Sequence, residues 1–199
     1  MMITLKGIER RIGPLLKSQQ SSRFNVLTEP RAYDNLGRTA AVLIIIHCKN
    51  MIPHVLLTRR SSNLKSHTGE ISFPGGQYSA VQDLSLLETA LRETKEEVGL
   101  SFRPEDILGQ LESVYTLTSN YSIIPFITIQ KNITAPKIFT NEVECVINVP
   151  LEETLATFQP DIEHYHISQQ GVYKFTFQRT VIWGATARIL KQLYDYLIQ

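Results

Sequence analysis

Apolar positions along this chain follow two periods. Runs of continuous or alternating apolar residues, AAVLIIIHC from residue 40 and HVLLTRR from residue 54, flank KNMIP and predict a hairpin turning at Lys49 and Asn50. LGQLESVYTLT and SIIPFITIQ predict two further strands, broken around Ser119 and Asn120, and VYKFTFQ predicts another. Between the two strand pairs the period changes: Leu87, Ala90, Leu91, Thr94 and Val98 recur at helical spacing. Residues 151–158 predict a short helix and 185–198 a terminal one. At the start, Ile3, Leu5, Ile8, Ile12, Leu15 and Leu16 stand among Lys6, Arg10, Arg11 and Lys17, the pattern of a short amphipathic helix or a weak mitochondrial presequence. Glu9 and Gly13 favour the helix. Strands mixed with separated helices give an α+β class, organised as a helical lead-in over residues 1–38 and one domain over 39–199.

Composition changes this picture little but narrows the function. A chain of 199 residues, 43% of them hydrophobic, suits one compact core. With 20 basic and 19 acidic residues the formal charge is +1, so no global field draws long nucleic acid or a membrane, and any anion site must be local. Cys48 and Cys145 lack metal-ligand spacing and stand in apolar contexts, which suits reduced thiols. No apolar run approaches membrane-spanning length and the start lacks a signal-peptide core, so the expectation is a soluble cytoplasmic protein. Oligomeric state stays open, a homodimer included.

The helical segment carries the chemistry. Glu93, Glu96 and Glu97 fall on one stripe of a helix, where like charges repel unless a divalent cation compensates them; hard ions such as Mg²⁺ take carboxylate oxygens and complete their shell with water and substrate phosphate. Arg92 stands four residues from both Glu88 and Glu96 and can hold the acids in position. Gly99 supplies a residue that tolerates positive φ at the helix end. An acidic stripe taken alone is as often a solvated helix face; the arginine and glycines in register tip the balance toward a site.

From Arg92 to Leu100 the segment resembles the Nudix box, with Thr94 in the aliphatic place. Its first half is stretched: Gly76 lies two residues upstream of the pattern, and Leu84 stands at the early acid unless Asp83 substitutes. Upstream, LLTRRSSNLKSHTGEISFPGG resembles the signature of Nudix enzymes that hydrolyse coenzyme A. Leu56, Leu57, Thr58, Arg60, Ser61, Gly69, Phe73, Pro74, Gly75 and Gly76 are in register, while Lys65 replaces an Arg, Thr68 a Pro and Ser79 an Asp. NEVECVINVPL and VIWGATARIL are similar to later segments of the same family.

The resemblance implies an α/β/α sandwich with a mixed sheet, and a hydrolase that cleaves the diphosphate of coenzyme A or acyl-CoA to 3′,5′-ADP and (acyl-)4′-phosphopantetheine. It implies Mg²⁺ or Mn²⁺ on Glu93, Glu96 and Glu97, with Arg92 positioning them and Glu142, or Glu144, as the later-loop acid that takes a proton. Arg60 and Lys65 would hold substrate phosphates, and Gly69, Gly75 and Gly76 would let backbone approach them. Arg60 and Lys65 are as readily ordinary surface charges, and Glu142 and Glu144 alternate with Val143 and Cys145 as an exposed strand face would. Trp183 and Thr186 read as packing residues, and His67, His164 and His166 receive no role. Two other functions remain: a Nudix hydrolase of ADP-ribose, NADH or another nucleoside diphosphate derivative, and a Nudix-like module that binds a nucleotide without turnover.

Overall fold

The structure is a computed structural model that describes residues 3–27, 38–62, 68–116, 121–162 and 172–198, with side chains of the first helix described through residue 16. Its centre is the strand β1 (Thr39–Lys49), which pairs antiparallel with β2 (Ile52–Arg60) and parallel with β7 (Ser122–Gln130). Around these lie β3 (Ile71–Ser72) against β2, β4 (Gly75–Gln77) against β1, β5 (Gly109–Gln110) and β6 (Val114–Tyr115) against β7, and β8 (Val143–Pro150) against β2. Together they form a mixed sheet. A smaller antiparallel sheet joins β9 (Gln159–Pro160), β10 (Tyr173–Phe177) and β11 (Thr180–Ile182).

Helices cover both faces of the large sheet, which is why β1 is an unbroken apolar run and not an alternating one. Ala41, Leu43 and Ile45 pack with Leu56 and Phe126 against Leu86, Ala90 and Val98 of α2 (Leu86–Val98). On the opposite face Ile44, Ile46, Val55, Leu57 and Ile127 pack with Ile8 and Ile12 of α1 (Leu5–Leu27). Leu151 and Leu155 of α3 (Leu151–Leu155) join them, as do Leu190 and Leu193 of α4 (Gly184–Leu197). The layers are therefore helix, sheet, helix, the expected α/β/α sandwich. No described helix is long and apolar enough to cross a membrane.

Several local expectations shift. The first hairpin turns at Asn50 and Met51, one residue later than the pattern suggests, because these two adopt φ of 52° and 65° while Lys49 pairs with Ile52. LGQLESVYTLT is not one strand: at Glu112 the backbone exchanges hydrogen bonds with the Gln192 side-chain amide of α4, both 3.0 Å, so the ladder to β7 is interrupted between β5 and β6. The break expected at Ser119 and Asn120 lies outside the described residues. The helix from Leu151 stops at Leu155 instead of reaching Phe158, and the Thr157 hydroxyl donates to the Thr154 carbonyl, 2.7 Å, just beyond its end. At the N-terminus the helix runs longer than its apolar pattern, through Pro14 to Leu27.

Candidate functional site

Local chemistry fixes where α2 starts and stops. Ser85 is its N-cap and accepts the Glu88 N–H, while the Glu88 carboxylate reaches back to the Leu84 N–H at 2.7 Å. Glu88 is thereby committed to capping and does not pair with Arg92, contrary to the expectation from its spacing. At the other end Gly99 has φ of 69° and donates to the Lys95 carbonyl at 3.0 Å. Thr94 can take an aliphatic place because its hydroxyl is satisfied by the Ala90 carbonyl at 2.7 Å, leaving its methyl to the core.

The opposite face of α2 presents Arg92, Glu93, Glu96 and Glu97. Arg92 grips Asp83 with two bonds, Nε to Oδ1 at 2.7 Å and Nη2 to Oδ2 at 3.0 Å. Its remaining Nη1 donates to Glu93 at 2.9 Å and Glu96 at 3.1 Å. Asp83 is only 3% exposed, and Thr89 donates a further bond to it at 2.9 Å. Burial works to raise the Asp83 pKa, but the bonds from Arg92 and Thr89 outweigh it and hold the carboxyl below its usual value. The loop before the helix, stretched as it is, thus still delivers an acid to the arginine. Asp83 aligned one residue away from the box's early acid, and that near miss was the available signal for its place.

Two glycines bring the sheet against this face. A Cβ on Gly75, whose φ is 151°, would fall 2.3 Å from the Ala41 carbonyl of β1, and one on Gly76 would fall 2.4 Å from Glu93 Cδ. At Gly75 the obstacle is backbone and no side chain fits, whereas a methyl at Gly76 would have to push the Glu93 carboxylate aside. Gly75 also donates its N–H to Glu97 Oε2 at 3.2 Å, so β1, β4 and α2 meet within a few atoms. Burial pushes the Glu97 carboxyl up to about 7, against the bond from Gly75 and with a further upward contribution from Glu93; burial likewise raises Glu93, against its bond from Arg92.

Arg60 ends β2 beside this cluster. Its Nη2 lies 3.8 Å from Glu142 Oε2, and the charges of both residues are felt by Glu97. The Nε of Arg60 is buried without a hydrogen-bond partner. Gly69 closes the following turn by donating to the Arg60 carbonyl at 3.1 Å. Glu142 is therefore gathered to the cluster; Glu144 is exposed on β8, and Lys65, His67, His164 and His166 lie outside the described residues. A cavity of about 610 Å³ opens here, with Arg38, Arg60, Gly75, Gly76, Tyr121 and Trp183 on its walls. Arg38 and Trp183 were not legible as cavity residues: one is a single arginine ahead of a strand, the other an aromatic in an apolar run. Thr186 also lines the cavity, but as a packing residue, buried and bonded to the Ile71 carbonyl at 2.8 Å.

Among the described residues no three His, Cys, Asp or Glu side chains form a preformed metal cage. Arg92 draws on Glu93 and Glu96 while Glu97 turns to Gly75. The donor set is nonetheless all hard oxygen on one helix face, with a carboxyl at Glu97 whose charge is disfavoured as it stands. Such donors fit a hard divalent ion that keeps water in part of its shell.

The NUDIX domain family matches residues 37–168, which takes in both glycines, all of α2 and Glu142. A relative from Photorhabdus laumondii subsp. laumondii, named "Uncharacterized Nudix hydrolase NudL", is 37% identical over 182 residues, 86% of this chain and 92% of that one. The crystal structure of a NUDIX hydrolase from Alicyclobacillus acidocaldarius aligns with a TM-score of 0.53 at 18% identity, covering 79% of this chain and 91% of that one. The NUDIX domain of Shewanella oneidensis NrtR, a structure in complex with ADP ribose, aligns at 0.50 and 22%, covering 70% and 86%. These structures share the fold, and use of divalent metals is general among Nudix hydrolases. By its matched domain and its relatives, this chain belongs to the Nudix hydrolase family.

Proposed function

We propose that this chain is a divalent-metal-dependent hydrolase of the diphosphate bond in coenzyme A and its thioesters, releasing 3′,5′-ADP and (acyl-)4′-phosphopantetheine. One observation carries the reading: the segment from Leu56 to Gly76, which resembles the coenzyme A signature, ends in two glycines pressed on Glu93 and Glu97, and its Arg60 lines the adjoining cavity. Substrate phosphates and acidic helix would meet at that junction.

Glu93, Glu96 and Glu97 would hold Mg²⁺ or Mn²⁺. Bound there, such an ion neutralises phosphate charge and makes water a better nucleophile at neutral pH. The protein supplies the rest. Arg92, anchored on Asp83, keeps Glu93 and Glu96 from splaying. Arg60, on the cavity wall, offers its guanidinium to a phosphate oxygen, and Lys65 adds a point charge. Glu142, exposed beside Arg60, accepts the proton of the attacking water at Oε2.

The test is to incubate the protein with coenzyme A and Mg²⁺ and resolve the products by mass, then compare catalytic efficiencies with ADP-ribose and NADH. Preference for coenzyme A by about tenfold or more is expected, an interaction difference of about 1.4 kcal/mol. Equal efficiency on ADP-ribose would remove the coenzyme A assignment while leaving the hydrolase. Arg60→Ala is expected to raise KM about tenfold or more through loss of a charge-assisted bond. Gly76→Ala should lower kcat about a hundredfold, because its methyl must displace the Glu93 carboxylate. Its melting temperature should change little, since the displaced group is the end of a side chain; near-normal kcat would show that Glu93 acts from elsewhere.

A further inference from the structure

The chain has one tryptophan, Trp183. It occupies the N-cap of α4, where Ser, Thr, Asp or Asn would bond the first amides, but it makes no side-chain capping bond. Nor is it sunk in the core: Ile182 and Ala187 are fully buried, whereas 37% of Trp183 stays exposed. That exposed part lies on the wall of the 610 Å³ cavity, which Gly75, Gly76, Arg38 and Tyr121 also line. Its position is fixed, because Thr186, one turn into α4, is bonded to the Ile71 carbonyl of β3, the strand that leads to Gly75. What the residue offers there is a flat π surface close to the glycine junction, in a cavity with two arginines on its walls.

We propose that Trp183 is the platform on which the adenine base of the substrate stacks. This rests on the reading of the cavity as a nucleoside diphosphate site, and adds the element that selects the base. An aromatic face recognises a purine by overlap of π systems and dispersion, without hydrogen bonds to its edge, and loss of one such face typically weakens binding by about tenfold. Coenzyme A, ADP-ribose and NADH all carry adenine, so the assignment holds for each.

Because Trp183 is the sole tryptophan, its emission reports on the site directly. Wild-type protein with Mg²⁺ is titrated with 5′-AMP, and with ribose 5-phosphate as the probe lacking a base. Saturable quenching by AMP and none by ribose 5-phosphate is expected. In W183A the KM for coenzyme A and the inhibition constant of AMP should each rise about tenfold with kcat within about twofold, and W183F should restore most of the loss. A residue that merely packed would not distinguish AMP from ribose 5-phosphate. Emission unchanged at AMP concentrations that inhibit turnover, or unaltered AMP binding by W183A in equilibrium dialysis, overturns the proposal. Should W183A fail to fold, wild-type emission and W183F still decide it. Quenching by AMP without hydrolysis of coenzyme A upholds the stacking platform and defeats the substrate reading; hydrolysis with unresponsive emission does the reverse.

Discussion

Glu97→Gln is expected to lower kcat about a thousandfold or more and, in the absence of metal, to make the protein more stable at about pH 8. Both outcomes come from one environment. Glu97 is 7% exposed, and burial first, then the Glu93 charge, push its carboxyl up to about 7 from an ordinary 4.5. The folded state therefore binds a proton that the unfolded chain releases, and stability falls as pH rises from the unfolded value through the folded one. At about pH 8 the loss amounts to about 1–3 kcal/mol. Glutamine carries no charge to bury and keeps an oxygen for the Gly75 N–H, so wild type and variant should agree near pH 5 and diverge above it. Urea midpoints at the two pH values, with chelator present, make the measurement. A variant less stable than wild type at the higher pH would contradict the burial argument, and activity within tenfold of wild type would remove Glu97 from the metal site.

Asp83→Ala should have the opposite linkage. Asp83 is held below its usual pKa by Arg92 and Thr89, so it stabilises the fold above the unfolded value near 3.8, and that contribution disappears as pH falls through the lower folded value. Removing it strips Arg92 of two bonds and leaves the Thr89 hydroxyl without its side-chain partner. With Arg92 still partly solvated and paired to Glu93 and Glu96, the cost at neutral pH is about 2–4 kcal/mol, less than for a fully buried pair. In a chain of this size that is a fall of about 4–16 °C in melting temperature. Turnover should drop about tenfold to a hundredfold, because a guanidinium no longer anchored on Asp83 ceases to hold the two glutamates in place. Calorimetry at neutral pH and kinetics at a saturating metal concentration test the two parts. An unchanged melting temperature would mean that the Asp83 contact contributes nothing net.

The second half of the acidic helix could be read residue by residue because helical spacing converts sequence directly into a shared face. Arg92, Glu93, Glu96 and Glu97 lie where their spacing puts them, and Gly99 ends the helix as its residue type allows. Contacts made across the chain were less accessible. The partner of Arg92 is Asp83 and not Glu88, since Glu88 finds an unsatisfied helix-end amide closer at hand. Interruption of the strand after Gln110 depends on Gln192, some eighty residues away, and no local propensity announces it. Trp183 and Arg38 reach the cavity through β3, α4 and β1, so only the assembled sheet shows that they share it.

The parallel pairing of β1 with β7 sets an order on assembly. Every residue of the acidic helix and both glycines precede Ser122, yet the apolar side of that helix also needs Phe126, and β1 keeps an open edge until β7 arrives. Closing so long a loop is slow compared with forming the helix or the first hairpin. A nascent chain that has emerged only as far as residue 121 thus holds all three glutamates of the proposed metal site without the floor that orients them. Competence to bind an ion should appear on the ribosome only after β7 has cleared the exit, as one of the last properties the domain acquires.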